Sequence, residues 1–301
     1  MNTAQRISTA YLGVIAVWST TPLGIQWSTL GSSYAFAVMS RMLIGLAICA
    51  GAMRYLQMQL PRDTNARKLY LASGLSMFSA MLCTYWGAQH IPSGLISVLF
   101  GLSPLATGVF ATWWLRTHEL TPLRTVGLAL SLVGLWVIFG QRWPGDSLAT
   151  AGMLAVLLGM TLQALGLVWI KRIGLERAQP PLSSLALTTG SLIVGTPLFV
   201  IAWIGVDGAH LPDALSTRAV AAIIYLGIFG SVIGFSLYYY VIRQLDAGRV
   251  ALITLITPIT ALLLGQSLNQ ELIPLRGWLG IALTSAGLML YEWRALRQLK
   301  K

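Results

Sequence analysis

The hexapeptide Glu119-Leu120-Thr121-Pro122-Leu123-Arg124 returns in the second half of the chain as Glu271-Leu272-Ile273-Pro274-Leu275-Arg276. The likeness extends outward from both copies. Upstream, Gly94 leads by ten residues to Pro104, and Gly248 leads by ten residues to Pro258. Downstream, Gly127 and Gly134 answer to Gly280 and Gly287, so that Tyr85 to Phe139 can be laid on Tyr239 to Tyr291 with few adjustments. A weaker match links Leu23-Gly24-Ile25-Gln26-Trp27 to Leu165-Gly166-Leu167-Val168-Trp169. So many Gly, Pro, Glu and Arg residues in one order mark an internal repeat.

The repeat is written in an apolar alphabet. Of 301 residues, 56% are hydrophobic and only 10% are charged, whereas an ordinary soluble domain carries about 25% charged residues. An apolar helix needs roughly 18 or more residues to cross a hydrocarbon core of about 30 Å. Ten runs meet that length, at about 10–28, 34–53, 69–88, 93–115, 123–140, 149–170, 183–206, 218–242, 248–268 and 274–293. All nine Asp and Glu fall between these runs or at their ends. Met1 to Arg6 lead straight into a full-length run with no small-residue cleavage site after it, so no cleavable signal peptide is expected. Cys49 and Cys83 sit among apolar neighbours and read as small core residues.

Basic residues near span ends are retained on the cytoplasmic side. Arg6, Arg54, Arg62, Arg67, Lys68, Arg116, Arg124, Lys171, Arg172, Arg177, Arg243, Arg249, Arg294, Arg297, Lys300 and Lys301 make sixteen on one set of connections. The alternate set holds three, Arg142, Arg218 and Arg276. Both termini are therefore expected in the cytoplasm. Because the basic residues are spread over every inner loop, the net charge of +11 is not a nucleic-acid patch.

A unit repeated after five spans must enter the membrane from the opposite side. The expected fold is all-α and integral to the membrane, with ten transmembrane helices forming two inverted five-helix repeats, residues 1–145 and 146–301, around a central cavity. Glu119 then faces the cytoplasm and Glu271 faces outward. Inverted repeats are characteristic of secondary transporters, in which two opposed units exchange conformations about a shared site.

The doubled order of glycine, ten-residue step to a mid-span proline, Glu-Leu-x-Pro-x-Arg and a glycine-rich helix resembles the EamA-type branch of the drug/metabolite transporter superfamily, over essentially the whole length. Within it, the chain is similar to bacterial aromatic amino-acid exporters. The resemblance implies a basket-shaped cavity lined mainly by spans 1, 3, 4, 6, 8 and 9, and export of amino acids or other small metabolites across the bacterial inner membrane.

Candidate working residues follow from depth and chemistry. Pro104 and Pro258 remove an intrahelical hydrogen bond near the middle of spans 4 and 9, so each is either a hinge or a static kink. Gly94, Ser97, Gly101, Pro104 and Gly108 share one face of span 4, which either lines the cavity or lets a neighbouring helix approach closely. Gly127, Ser131 and Gly134, mirrored by Gly280, Thr284 and Gly287, read as packing surfaces. Polar groups at mid-depth are expensive unless paired or facing a wet cavity. That rule selects Ser19, Thr20, Thr21, Thr161, Gln163, Thr254 and Thr257, with Thr21 and Gln163 equivalent under the repeat. A hydroxyl can instead bond to its own helix. Trp18, Tyr85 and Tyr239 offer rings to a bulky substrate or fill space between helices, whereas Trp27, Trp113, Trp114 and Trp169 read as interfacial anchors. Arg41, about 10 Å deep in span 2, either snorkels outward or draws an anionic group such as a substrate carboxylate.

No Asp, Glu or His lies inside a run, so proton coupling through a buried carboxylate is not expected, and neither a cofactor nor a metal site is implied. Passive or exchange transport of amino acids, with aromatic or apolar side chains favoured, is the leading reading, in a monomer or weak dimer surrounded by lipid. Efflux of cationic drugs is the alternative, disfavoured because no embedded carboxylate would neutralise the cation. A membrane enzyme is disfavoured because Glu119 and Glu271 face opposite sides and cannot share a site.

Overall fold

Five of the helix starts are written in the sequence as caps. Ser33, Asp63, Thr121, Ser183 and Ser216 each accept a backbone N–H of the following turn, for example Phe36 N–H to Ser33 Oγ at 3.0 Å and Ala219 N–H to Ser216 Oγ at 3.1 Å. Pro122 occupies the first helical turn behind Thr121, where its missing N–H is no loss. At the other end, Gly174 (φ 83°) and Gly208 (φ 61°) adopt backbone conformations that stop α7 and α8.

The computed structural model describes residues 3–116, 121–140, 148–174, 182–245 and 247–293. Glu119, the expected boundary between residues 145 and 146, and the basic residues from Arg294 onward lie outside the described residues, as does the side chain of Tyr239. The described residues are helical, with no strand among them: α1 (Thr3–Ser28), α2 (Tyr34–Tyr55), α3 (Thr64–Gly87), α4 (Ser93–Phe100), α5 (Ser103–Trp114), α6 (Pro122–Phe139), α7 (Ala149–Ile173), α8 (Ser184–Asp207), α9 (Thr217–Tyr225), a π-helical segment (Leu226–Ile233), α10 (Gly234–Gln244), α11 (Ala247–Asn269) and α12 (Leu275–Tyr291).

Among the described residues, six stretches are long and apolar enough to cross a membrane: Tyr34–Tyr55, Ser93–Trp114, Pro122–Phe139, Ala149–Ile173, Ser184–Asp207 and Thr217–Tyr238. α1 and α3 equal them in length, at 26 and 24 residues, but are less apolar because they carry hydroxyls toward their neighbours. Ser73 shares a hydrogen bond of 2.5 Å with Ser191 on α8, and Ser76 donates to the Leu162 carbonyl of α7 at 3.2 Å. Inside a bundle, such pairs replace the water that lipid cannot supply.

α6 and α12 form the most closely packed pair. Glycine sets that distance. A Cβ on Gly127 would lie 2.6 Å from the Gly287 carbonyl oxygen, one on Gly134 would lie 2.5 Å from the Thr284 nitrogen, and one on Gly280 would lie 2.8 Å from the Gly134 oxygen. At that separation Ser131 Oγ donates across to the Thr284 carbonyl at 3.2 Å. Elsewhere α3 runs along α7 and α8, α2 along α8, and α1 along α11 and along the rod made by α9, the π-helical segment and α10. α4 packs on α11, and α5 on α7.

Overpacking of a tight core typically costs about 1–3 kcal/mol, and here the obstacle is backbone that cannot swing aside. Gly134→Leu and Gly287→Leu are expected to lower the melting temperature in detergent by several degrees or prevent folding. Gly51→Leu, where nothing stands within 4 Å of the added Cβ, is the matched control and should melt like wild type.

Candidate functional site

The residues selected by depth fall into three groups. The first lies around α1. The Trp18 ring packs on Tyr238 of α10 with centroids 4.7 Å apart, Ser19 shares a short hydrogen bond with Thr260 of α11, and the Thr20 hydroxyl meets that of Tyr225 at 2.6 Å. Thr21, one residue on, bonds instead to its own Val17 carbonyl at 2.6 Å. α1 therefore joins both the rod and α11 through side-chain hydroxyls. Thr257 is buried a turn before Thr260, and Thr254 lies a turn before that.

The second group is Arg41 with Tyr85. Arg41 is 3% exposed and does not snorkel; Nε donates to Ser231 Oγ at 3.0 Å, and Nη1 approaches the Tyr85 hydroxyl at 3.4 Å. Ser231 lies in the π-helical segment, where its hydroxyl donates to the carbonyl five residues back, Leu226, at 3.1 Å. π-Helical turns are frequent at functional positions.

The third is the interface of α4 and α11. Span 4 is interrupted by a tight turn: α4 ends at Phe100, Gly101 and Leu102 keep right-handed helical dihedrals with the Gly101 N–H still on the Ser97 carbonyl at 2.9 Å, and α5 begins at Ser103 with Pro104 in its first turn. α11 runs unbroken through Pro258. Gly94 faces Leu262 and Gly101 faces Pro258, where added Cβ atoms would lie 2.7 Å from Leu262 Cα and 3.3 Å from Pro258 Cγ. Buried Ser97 is on the same face.

Gln163 stands apart from these groups. Its α7 neighbours Gly159 and Gly166 abut α3, and by helical spacing Gln163 shares their face. Its Oε1 is buried without a hydrogen-bond partner. No hydrogen bond among the described residues joins it to Thr21, its equivalent in the repeat. Thr161 bonds to its own Leu157 carbonyl at 2.7 Å.

Sequence reasoning missed a polar cluster at the end of the bundle where α1, α3 and α11 finish. Gln26 Nε2 donates to the Ala88 and Ile91 carbonyls at 3.2 and 2.6 Å. Asn269 Nδ2 donates to Gln26 Oε1 and to Glu271 Oε1, both at 3.0 Å, and receives Trp27 Nε1–H on Oδ1 at 3.2 Å. The Glu271 carboxylate accepts the Ser93 and Gly94 N–H groups at 3.0 and 3.3 Å. A negative group at a helix N-terminus satisfies orphan donors and complements the dipole. Glu271 thus caps α4 rather than α12, the helix next to it in sequence. The Arg218 guanidinium covers the Trp27 ring 4.9 Å from its centroid.

At the opposite end, Trp113, Trp114, Arg116, Leu165 and Arg172 line an open cleft of about 660 Å³ between α5 and α7, with the Arg172 guanidinium 5.2 Å from the Trp114 ring centroid. A second cleft of about 520 Å³ lies at the capped end, between Ser33, Asp207 and His210. Losing one cap of this kind costs about 1 kcal/mol. Glu271→Ala should lower thermal stability measurably, while Glu271→Gln, which keeps an acceptor, should lose less; equal melting of Glu271→Ala and wild type would show that the cap contributes nothing.

A solved crystal structure superposes on the chain with a TM-score of 0.65, covering 98% of this chain and 99% of its own at 17% identity, which shows the fold alone. The uncharacterized inner membrane transporter YedA of Escherichia coli K12 is 29% identical over 195 residues, 64% of this chain, and the match spans 60% of YedA's own length. The uncharacterized transporter YvbV of Bacillus subtilis is 22% identical over 91% of this chain and 89% of its own. A probable amino-acid metabolite efflux pump of Escherichia coli K12 is 25% identical over 75% of this chain and 78% of its own. The family of EamA-like transporters matches the sequence twice, over residues 7–140 and again over 150–293. With both halves so matched, the chain belongs to the EamA-like transporter family and is a multi-pass membrane protein.

Proposed function

We propose that this protein is a bacterial inner-membrane secondary transporter that exports amino acids, favouring aromatic or apolar ones, by alternating access between two inverted five-helix repeats with both termini in the cytoplasm. The observation that carries the reading is the separate match of each half to one transporter family. The substrate class is drawn from the relative described as a probable amino-acid metabolite efflux pump.

The helix contacts support the inverted repeat, because they come in matching sets. α3 along α7 corresponds to the α9–α10 rod along α1. α3 with α8 corresponds to the rod with α2, and α1 with α11 to α7 with α4 and α5. The pairs α2 with α8, α4 with α11 and α6 with α12 each map onto themselves.

Two features support movement between states. The same glycine-to-proline step is interrupted by a tight turn in α4–α5 and runs as regular helix in α11, so one motif adopts two shapes within one molecule. The end closed by Gln26, Asn269 and Glu271 is the outer one under the charge bias, and the cleft beside Arg116 and Arg172 is cytoplasmic. An outer end fastened by these hydrogen bonds fits one of the two states of alternating access. Trp18, with Tyr238, supplies rings at the centre for a bulky side chain, next to the Ser19, Thr20, Tyr225 and Thr260 hydroxyls. Transport is driven by the substrate gradient or by exchange.

Reconstituted in proteoliposomes, the protein should catalyse saturable counterflow of tryptophan or phenylalanine. Trp18→Ala should raise the half-saturation concentration several-fold, and Gln163→Ala should also change transport. An imposed pH gradient should drive little accumulation. Proton-coupled accumulation would contradict the passive mode, and two variants matching wild type for every amino acid would contradict the site.

A further inference from the structure

Arg41 has a positive charge that its surroundings do not neutralise. Its two hydrogen-bond partners are neutral hydroxyls, on Ser231 and Tyr85, and among the described residues Nη2 has no partner. A guanidinium carries five N–H donors in a fixed fork, so more than half of its donor capacity remains unused. No carboxylate of the chain lies inside an apolar run.

The surroundings are shaped for this group. Gly230 lies beside Nη2, where an added Cβ would stand 3.0 Å from the nitrogen, and at Gly227 an added Cβ would stand 2.6 Å from Ile44 Cγ2, so the absent side chains let α2 approach the π-helical segment. Ser231 gives its proton to Leu226 and its lone pair to Arg41. Tyr85, fully buried, accepts from Arg41, which leaves its phenolic proton available to a second acceptor. A missing acceptor beside a planar cation and a hydroxyl donor has the chemistry of a carboxylate, which an arginine fork binds through two parallel N–H···O bonds.

We propose that Arg41, with Tyr85 as a second donor, receives the carboxylate of the transported molecule, so that the protein selects carboxylate-bearing substrates over amines of the same shape. The proposal rests on the amino-acid export reading and names the group by which that substrate is held. With Arg41 at 3% exposure the site is occluded. The glycine-rich π-helical segment is the element that must shift to admit substrate. The same charge repels quaternary amines and other cations.

The test is competition in proteoliposomes, with labelled tryptophan counterflow challenged by tryptophan, tryptophanamide and tryptamine. Wild type should require at least tenfold more amide or amine than tryptophan for half-inhibition. Arg41→Gln should raise the half-saturation concentration for tryptophan at least tenfold and abolish the discrimination. Arg41→Lys should restore part of it. Tyr85→Phe, which keeps the ring and the charge, should weaken discrimination several-fold and guards against an Arg41 variant that fails to fold. Wild type that transports tryptophan without preferring the acid, or a folded Arg41→Gln and a Tyr85→Phe that both keep the full preference, would overturn this proposal alone. Wild type that counterflows no amino acid would overturn the export reading and this proposal with it.

Discussion

Hydrocarbon offers no water to an unpaired N–H, C=O or O–H, and every polar group in the spans must find its partner within the protein. Helices meet that demand for the backbone. Most hydroxyls meet it by folding back on their own helix: Thr84 on Ala80, Thr161 on Leu157, Thr189 on Leu185 and Thr284 on Gly280, at 2.7 to 2.8 Å. The exceptions are more informative, because a hydroxyl that reaches another helix ties two elements together. Ser19 with Thr260, Thr20 with Tyr225 and Ser73 with Ser191 are ties of this kind. Gln163 Oε1, Thr196 Oγ1 and Trp203 Nε1 are buried without a partner among the described residues, and Arg41 meets only neutral hydroxyls.

The second constraint is distance. Lipid tails are as apolar as leucine side chains, so helices gain little from burial alone and associate by close packing and interhelical hydrogen bonds. Glycine makes this available at α6–α12, at α3–α7, where a Cβ on Gly87 would lie 2.5 Å from the Gly152 oxygen, and at α4–α11 through Gly94. A bundle held in this way is fastened along a few stripes. The α9–α10 rod joins these stripes through Gly227 on α2 and apolar packing on α1, and the Thr20–Tyr225 hydroxyl pair adds a single polar tie.

How much of this is legible in the sequence depends on the range of the interaction. Helix positions are readable because length and hydropathy are local, and the packing of Gly127 and Gly134 on Gly280 and Gly287 follows from their place in matching helices. The tight turn before Pro104 is not readable, since Gly101 and Pro104 equally suit a kinked continuous helix and the matching Pro258 sits in one. The π-helical segment reads Leu-Gly-Ile-Phe-Gly-Ser-Val-Ile and differs in no composition from an ordinary apolar helix. Glu271 stands just before α12 in the sequence, yet its partners are the α4 amides across the bundle, which sequence spacing cannot reveal. A signal for the Gln26 cluster did exist. Within the pentapeptide shared by spans 1 and 6, Gln26 stands where the other copy has Val168, a polar group on one side of an otherwise matched pair. Depth singled out Arg41; only its neighbours show that it turns inward.

The central claim is that the capped end and the end bearing Arg116 and Lys171 open in alternation. Distances between paired spin labels test it most directly, with one pair at exposed Leu30 and Gln270 on the capped end and another at exposed Arg116 and Lys171 on the other. Across a titration of amino acid, the account predicts a second population in which the first pair is farther apart and the second pair closer, with the two changes growing together. Distances that stay fixed at both ends, or that widen at both ends at once, would contradict it.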